Sequence, residues 1–361
     1  MSTTQRAIQI QAPKVAKLVT NAPIPRQRPD HIAVAVSHVA LNPTDWKSID
    51  TRGEPGLISG CDYSGVVEAV GANVASEGRF RVGDRVAGVA HGANASNSED
   101  GAFAEHIMAR AALATKVPPT LSMAEAATLG VGVTTVAQGL YQSLGLPWPG
   151  ATEQNGGDQA AAAGIPVLIY GGSTATGTLA IQFAKLSGCT VLTTCSPRNF
   201  ELVRRLGADH VFDYNAPGVG AAIRKAAGED GLAHVFDCVS QPASAAICAD
   251  AFGAAGGKYS ALLYLDGEFP REDVEVETTM AYTAMGEEFR KGTKTTPARP
   301  QDLEFATRFW KVAGELLEQG KVKPHPPQVR EGGLGGILDG LEDMRQGKVS
   351  GVKLVYKVQD V

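Results

Sequence analysis

Residues 170–177 read YGGSTATG, a short segment dense in glycine and small hydroxyl side chains. An apolar run, IPVLIY (165–170), precedes it and a helical pattern over 174–186 follows. Strand, glycine turn and helix start in that order make an anion site. Free backbone N–H groups at the helix start face a pyrophosphate, and glycine lets it approach the backbone. The segment departs from G-x-G-x-x-G, with Thr174 and Ala175 where glycines often stand, so Ser173, Thr174 and Thr176 are expected to offer hydroxyls to the phosphates. About 20 residues further on, a site for an unphosphorylated ribose places a carboxylate. Here the chain has Cys195, Ser196, Pro197, Arg198 and Asn199. A hydroxyl and a guanidinium suit a 2′-phosphate, so the expected cofactor is NADPH. Tyr214, ending a later strand, stands where an adenine edge could be reached, although an aromatic there is more often core.

These residues need a frame. From 165 onward short apolar runs alternate with helical stretches: 189–195, HVFDY (210–214), HVFDCV (234–239) and KYSALL (258–263). That alternation predicts an α/β unit with a doubly wound parallel sheet. Residues 6–110 read instead as strand and turn. HIAVAVSHV (31–39) alternates, with Ile32, Val34 and Val36 on one face, as a half-buried antiparallel strand would. GCDYSGVVEAVG (60–71) and VGDRVAGV (82–89) continue a compact barrel-like unit with glycines at its bends. Helical signals begin at Ser122, where Glu125 three residues on matches a capping box, and 134–144 can follow as helix. The stretch 147–164 is expected to be a mobile surface insertion. After 301 come two helices (303–319 and 335–346) and a closing strand, KLVYKV, expected to return to the first domain.

The chain has 361 residues, more than one core usually spans, with 43% hydrophobic and 20% charged residues. That excludes disordered and fibrous classes. A formal net charge of -5 argues against a nucleic-acid partner. No run approaches the ~18 apolar residues of a membrane span, and MSTTQRAIQIQAPK has no signal-peptide core. Five cysteines without a C-x-x-C pair fit reduced thiols in a cytoplasmic protein.

The first domain carries a resemblance. GCDYSGVV (60–67), Val70-Gly71 and FRVGDRV (80–86) resemble the signature of the medium-chain dehydrogenase/reductase superfamily. This implies a GroES-like β-barrel catalytic domain over 1–134, completed by 300–361, and a Rossmann domain over 135–299. Within that superfamily NPTDWK (42–47), YGGSTATG, CSPRNF (195–200) and SGVKLV (350–355) are similar to fungal trans-acting enoyl reductases. Those enzymes partner highly reducing polyketide synthases, including synthase–peptide synthetase hybrids. The resemblance implies NADPH-dependent reduction of the C=C of a carrier-bound α,β-unsaturated polyketide thioester. It also implies a cofactor site lined by Thr44, Asp45, Trp46, Lys47, Ser173, Thr174, Ala175, Thr176, Ser196, Pro197, Arg198, Asn199, Tyr214, Leu262, Leu263, Val352 and Lys353. Lys47 would bind cofactor or stabilise developing negative charge, and Thr135 would orient nicotinamide or substrate. The substrate pocket would be built from Val131, Gly132, Val133, Thr134, Thr135, Val136, Ala137 and Gln138 with Met280, Ala281, Tyr282, Thr283, Ala284 and Met285.

Zinc-dependent members of the superfamily carry a cysteine before the first-domain helix and a Gly-His-Glu motif. Asn42 stands near the first position and Gly60-Cys61-Asp62 replaces the second, so no metal is expected. Two other readings keep the fold: a stand-alone quinone or enone reductase, and a non-catalytic cofactor-binding scaffold. In many superfamily members the region here spanning 258–270 pairs two Rossmann sheets. Asp266, Gly267 and Pro270 discourage that pairing, and a monomer is expected.

Overall fold

The computed structural model describes residues 3–52, 54–150 and 164–361. The chain divides into two compact units, one running to Thr134 and resuming at Tyr282, the other Thr135–Ala281.

The second unit holds a parallel sheet. Its strands lie in the order His210–Phe212, Thr190–Thr194, Pro166–Tyr170, His234–Asp237, Gly257–Ala261, Val274–Thr278. The run Pro166–Tyr170 is apolar throughout and the centre of His234–Asp237 is apolar because both faces are covered: Val167, Leu168, Ile169, Val235 and Phe236 are all buried. Strand order reverses between Pro166–Tyr170 and His234–Asp237, which opens a crevice at the carboxyl ends of the strands. The sixth strand, VEVET, had no sequence expectation. It sits at the sheet edge with Glu275, Val276 and Glu277 exposed, so its alternating charges face solvent.

In the first unit the main sheet runs Pro327–Arg330, Lys353–Lys357, His31–Ala40, Asp62–Val70, Arg85–Val89, Ala114–Lys116, with His106–Arg110 also paired to His31–Ala40. The strand His31–Ala40 is not half-buried. Ile32, Val34 and Val36 enter the core as the alternation predicts, but Ala35 and Ser37 are buried too, since this strand lies centrally and is covered on both faces.

A helix, Pro43–Arg52, precedes any that the sequence suggested. Its signal is in the cap: Pro43 takes the first helical position, and Asp45 Oδ2 accepts the backbone N–H of Asn42 at 2.7 Å. At Ser122 the expected capping box is present, with Ser122 Oγ accepting from Glu125 N and the Glu125 carboxylate accepting from Ser122 N.

Residues 282–299, expected in the Rossmann domain, cluster with the first unit. The reasons are local. Tyr282 stacks on His91, Arg110 Nε donates to Met285 O at 3.1 Å, and Arg290 pairs with Glu54 at 2.7 Å. The insertion expected at 147–164 falls largely outside the described residues. Among the described residues no helix is long and apolar enough to cross a membrane.

Distant parts of the first unit meet at Lys353. Its ammonium donates to Asp62 Oδ2, to Asn42 Oδ1 at 2.9 Å and to Thr128 O at 3.4 Å, and its side chain is 3% exposed against 0% for Asp62. Asp62 Oδ1 in turn accepts from Val131 N at 2.6 Å. Removing one charge of such a pair strands the other in a low dielectric. Lys353→Met is therefore expected to lower stability by about 3–5 kcal/mol, and Asp62→Asn/Lys353→Met to recover much of that loss. Urea midpoints of the two variants check this, and a single variant no weaker than the double would refute it.

Candidate functional site

The turn after Pro166–Tyr170 is compressed against its neighbours. Gly171 has φ +82°, Gly171 N donates to Thr194 Oγ1 at 3.1 Å, and Gly172 N donates to Thr194 O at 2.9 Å. A Cβ at Gly172 would lie 2.0 Å from Thr193 Oγ1, and one at Gly177 would lie 2.3 Å from Gly171 O. Only glycine fits at both. Thr174 caps the helix Ala175–Leu186: its hydroxyl accepts from Gly177 N at 2.9 Å and donates to Gly171 O at 2.8 Å. That hydroxyl holds the turn's shape instead of being free for a phosphate. Ser173, Ala175 and Thr176 are half-buried, and the first-turn N–H groups of Ala175 and Thr176 remain for an anion. A pyrophosphate fits this cradle.

Around it the sheet gathers the other expected residues of this unit. Ser196 Oγ lies 2.9 Å from Tyr214 OH, and the Tyr214 ring is 6.5 Å from that of Tyr170. Pro197–Asn199 forms a short 3-10 turn with Arg198 exposed. At the fourth strand, buried Asp237 Oδ1 accepts from Val239 N (2.8 Å) and Ser240 N (2.9 Å), and Asp237 Oδ2 accepts from Tyr259 OH at 2.7 Å. Ser240, at φ 54°, then accepts from Leu262 N at 2.8 Å. Asp237 thus positions the segment carrying Leu262 and Leu263, a role the sequence reading missed. HVFDCV reads only as a strand.

Other expected residues sit deeper. Thr134 Oγ1 donates to Gly130 O and accepts from Trp310 Nε1 at 3.1 Å, so its hydroxyl is structural. Val133, Val136 and Ala137 are fully buried, Thr135 and Gln138 nearly so, and the helix Gly130–Val136 is followed by a π-helical stretch, Ala137–Ser143. Met280 and Ala281 are half-buried; Tyr282, Thr283, Ala284 and Met285 are buried.

In the first unit Thr44, Trp46 and Lys47 are half-buried on the helix Pro43–Arg52. The Lys47 ammonium lies 5.6 Å from the centre of the Trp46 ring, and burial holds its pKa below the usual lysine range. Val352 is half-buried, whereas Lys353 turns its ammonium inward to Asp62 and its backbone N–H donates to Pro326 O at 2.9 Å, so the residue faces the fold and not a ligand. Asp45 is also buried. Desolvation pushes its carboxyl up to about 7, against the opposing pull of the Asn42 N–H. Beside it, burial pushes the Cys61 thiol well up. Tyr282 OH lies 2.8 Å from Thr44 Oγ1 and 3.5 Å from Cys61 Sγ, and its ring stacks on His91 at 4.0 Å.

These residues do not suit zinc. Among the described residues no group of three or more His, Cys, Asp or Glu side chains is gathered to hold a metal. Asp62, next to Cys61 in the chain, already has its charge balanced by the Lys353 ammonium.

Asp45 also links stability to pH. A carboxyl whose pKa is higher folded than unfolded binds its proton more tightly in the folded state. Its contribution is complete below the unfolded value, near 4, and is lost as pH rises through about 7. Wild-type urea midpoints are expected to decline over that window more steeply than those of Asp45→Asn, and identical slopes would refute the assignment.

Two family models match the chain: the alcohol dehydrogenase GroES-like domain over residues 28–119 and the zinc-binding dehydrogenase domain over 175–259. Among solved structures, an alcohol dehydrogenase superfamily protein from Novosphingobium aromaticivorans (TM-score 0.76, 23% identical, 98% of this chain and 100% of that one) shares the fold. So does CurK enoyl reductase (TM-score 0.72, 19% identical, 99% of each chain). The chain is 48% identical to trans-enoyl reductase ACTTS2 of Alternaria alternata over 98% of its own length and 99% of the relative's. It is 46% identical to trans-enoyl reductase resD of Aspergillus sclerotiorum, over 98% and 100% of the two chains. With identity of this order running from end to end across both units, the chain belongs to the trans-enoyl reductase family of medium-chain dehydrogenases/reductases.

Proposed function

We propose that this protein reduces the C=C of an α,β-unsaturated polyketide thioester carried by a partner polyketide synthase or synthase–peptide synthetase hybrid, with NADPH as reductant. The observation that carries the reading is the end-to-end similarity to trans-enoyl reductases. NADPH would supply a hydride to the β-carbon, and the enolate so formed is stabilised by hydrogen bonds and nearby positive charge. The first-turn N–H groups of Ala175 and Thr176, with Ser173, would hold the pyrophosphate, while Leu262 and Leu263 would line the dinucleotide. Ser196, Arg198 and Tyr214 would take the 2′-phosphate and adenine end. That arrangement offers a hydroxyl and a guanidinium and no carboxylate. Lys47, whose charge is already disfavoured by burial, gains most from a nearby anion and is suited to balance developing negative charge. Thr135 would orient the nicotinamide or the substrate.

The purified protein is expected to oxidise NADPH on addition of crotonyl-pantetheine and to yield the saturated thioester. Rapid turnover of free quinones with no thioester reduction would favour a quinone reductase instead. Neither activity, with NADPH bound, would leave a scaffold. Arg198→Ala is expected to weaken NADPH binding by about tenfold to a hundredfold, the range of one charge-assisted hydrogen bond, with NADH binding little changed. Titration by nicotinamide fluorescence checks this; an equal loss for both nucleotides would overturn the 2′-phosphate assignment.

We further propose a monomer. Glu275 and Glu277 on the exposed edge strand Val274–Thr278 oppose edge-to-edge pairing of two copies. Light scattering is expected to give a mass near 37.6 kDa, and a doubled mass would refute it.

A further inference from the structure

Among the described residues of the second unit, Ser240 alone takes a left-handed backbone without being glycine; its φ is 54° and it is 5% exposed. Glycine adopts that conformation freely, whereas a residue with a side chain is strained there. Strain kept at a buried polar residue points to a use for its side chain. The Ser240 hydroxyl has two partners. Its Oγ donates to Asp237 O at 2.9 Å and accepts from Leu262 N at 2.8 Å, so it ties the end of His234–Asp237 to the residue that follows Gly257–Ala261. The Asp237 carboxylate fixes the hydroxyl from behind, since Oδ1 accepts from Val239 N and Ser240 N while Oδ2 accepts from Tyr259 OH.

The register shows what this strut lies between. Asp237 is level with Tyr170 on one neighbouring strand and with Ala261 on the other. Val239 and Ser240 therefore stand between the glycine turn that follows Tyr170 and the segment Leu262–Leu263. The approach to the turn is close: a Cβ at Gly171 would lie 2.9 Å from Val239 Cγ2. A dinucleotide carries one nucleoside on each side of its pyrophosphate. In sheet order, Ser196, Arg198 and Tyr214 follow the two strands on one side of Pro166–Tyr170, and Ser240 and Leu262 follow the two on the other. With the adenine end assigned to the first group, the nicotinamide half is left to the second.

We propose that Ser240 is a positioning residue for the nicotinamide half of the cofactor, its hydroxyl setting where Leu262 and Leu263 stand. This rests on the NADPH reading above. Glycine at 240 would make the same turn without strain but would leave Leu262 N without its acceptor, so the segment beside the dinucleotide would be less firmly held.

The test is calorimetric titration of the full-length protein with NADPH and with adenosine 2′,5′-bisphosphate, which carries the adenine end and the 2′-phosphate but no nicotinamide. Ser240→Gly suits the left-handed backbone and removes the hydroxyl. It is expected to weaken NADPH binding by about threefold to tenfold, the range of one neutral hydrogen bond, and to leave bisphosphate binding within about twofold of wild type. The nicotinamide emission of bound NADPH is expected to move towards that of free NADPH. Ser240→Ala, which keeps the β-carbon and loses the hydroxyl, should show the same split, and it keeps the proposal falsifiable should Ser240→Gly fail to fold. Wild-type NADPH affinity and emission in either variant would overturn the proposal. So would an equal loss for both ligands, which marks a change in the fold at large. No NADPH binding by wild type would remove the cofactor reading and the proposal with it.

Discussion

The first unit depends on one buried ion pair. Lys353 and Asp62 lie 291 positions apart, and their contact joins the closing strand Lys353–Lys357 to Asp62–Val70. Neither charge can be released singly, because each was taken out of water on the condition that the other is present. The remaining lone pairs and protons are also occupied. Asp62 receives Val131 N, and Lys353 reaches Asn42 and the Thr128 carbonyl. The consequence is geometric: Asn42, which caps the helix bearing Thr44 and Asp45, and Val131, at the start of Gly130–Val136, are both fixed to the same point. Gly130 shows how close that fit is, since a Cβ there would fall 2.5 Å from Asp62 Oδ1 and 2.3 Å from Gly88 O.

The second unit obeys a different constraint, the close approach of turn to strand. Gly172 and Gly177 leave no room for a side chain, and Thr174 supplies by hydrogen bonding the closure that a further glycine would supply by absence of bulk. The departure from G-x-G-x-x-G therefore changes how the cradle is held, not whether one forms. It also reassigns a hydroxyl. Read along the sequence, Thr174 is expected to be a phosphate ligand; in the folded chain it is a cap, and an anion bound there would have the backbone N–H groups with Ser173 and Thr176.

Legibility in the sequence followed the range of the signal. The inner parallel strands were readable because IPVLIY is an unbroken apolar run and its successors carry short apolar centres, all buried on both faces and separated by helical stretches. VEVET was not, because it is short and Glu275, Val276 and Glu277 are all exposed, so it offers no buried apolar run to mark it. The helix Pro43–Arg52 lacks apolar periodicity, and its only mark is Asn-Pro followed by Asp45. Spacing after a strand singled out Ser196, Arg198 and Tyr214 as candidates, and the fold brings the Ser196 and Tyr214 hydroxyls to 2.9 Å. Tyr282 was legible only as an aromatic in a stretch of small residues, because its partners Thr44, Cys61 and His91 come from distant positions and no local pattern encodes their meeting. Lys353 misled for the same reason. Its burial follows from Asp62, which nothing near residue 353 announces.

The donor set around Cys61 explains why this region favours hydrogen-bond chemistry. A divalent cation needs deprotonated ligands drawn together, with charge to balance it. Here Asp62 already has its cation in Lys353, burial pushes the Asp45 carboxyl and the Cys61 thiol towards their neutral forms, and Asn42 Oδ1 accepts a hydrogen bond from Lys353 instead of facing outward. An internal cation on Asp62 and acids driven towards their neutral forms thus stand where a metal would need anionic ligands.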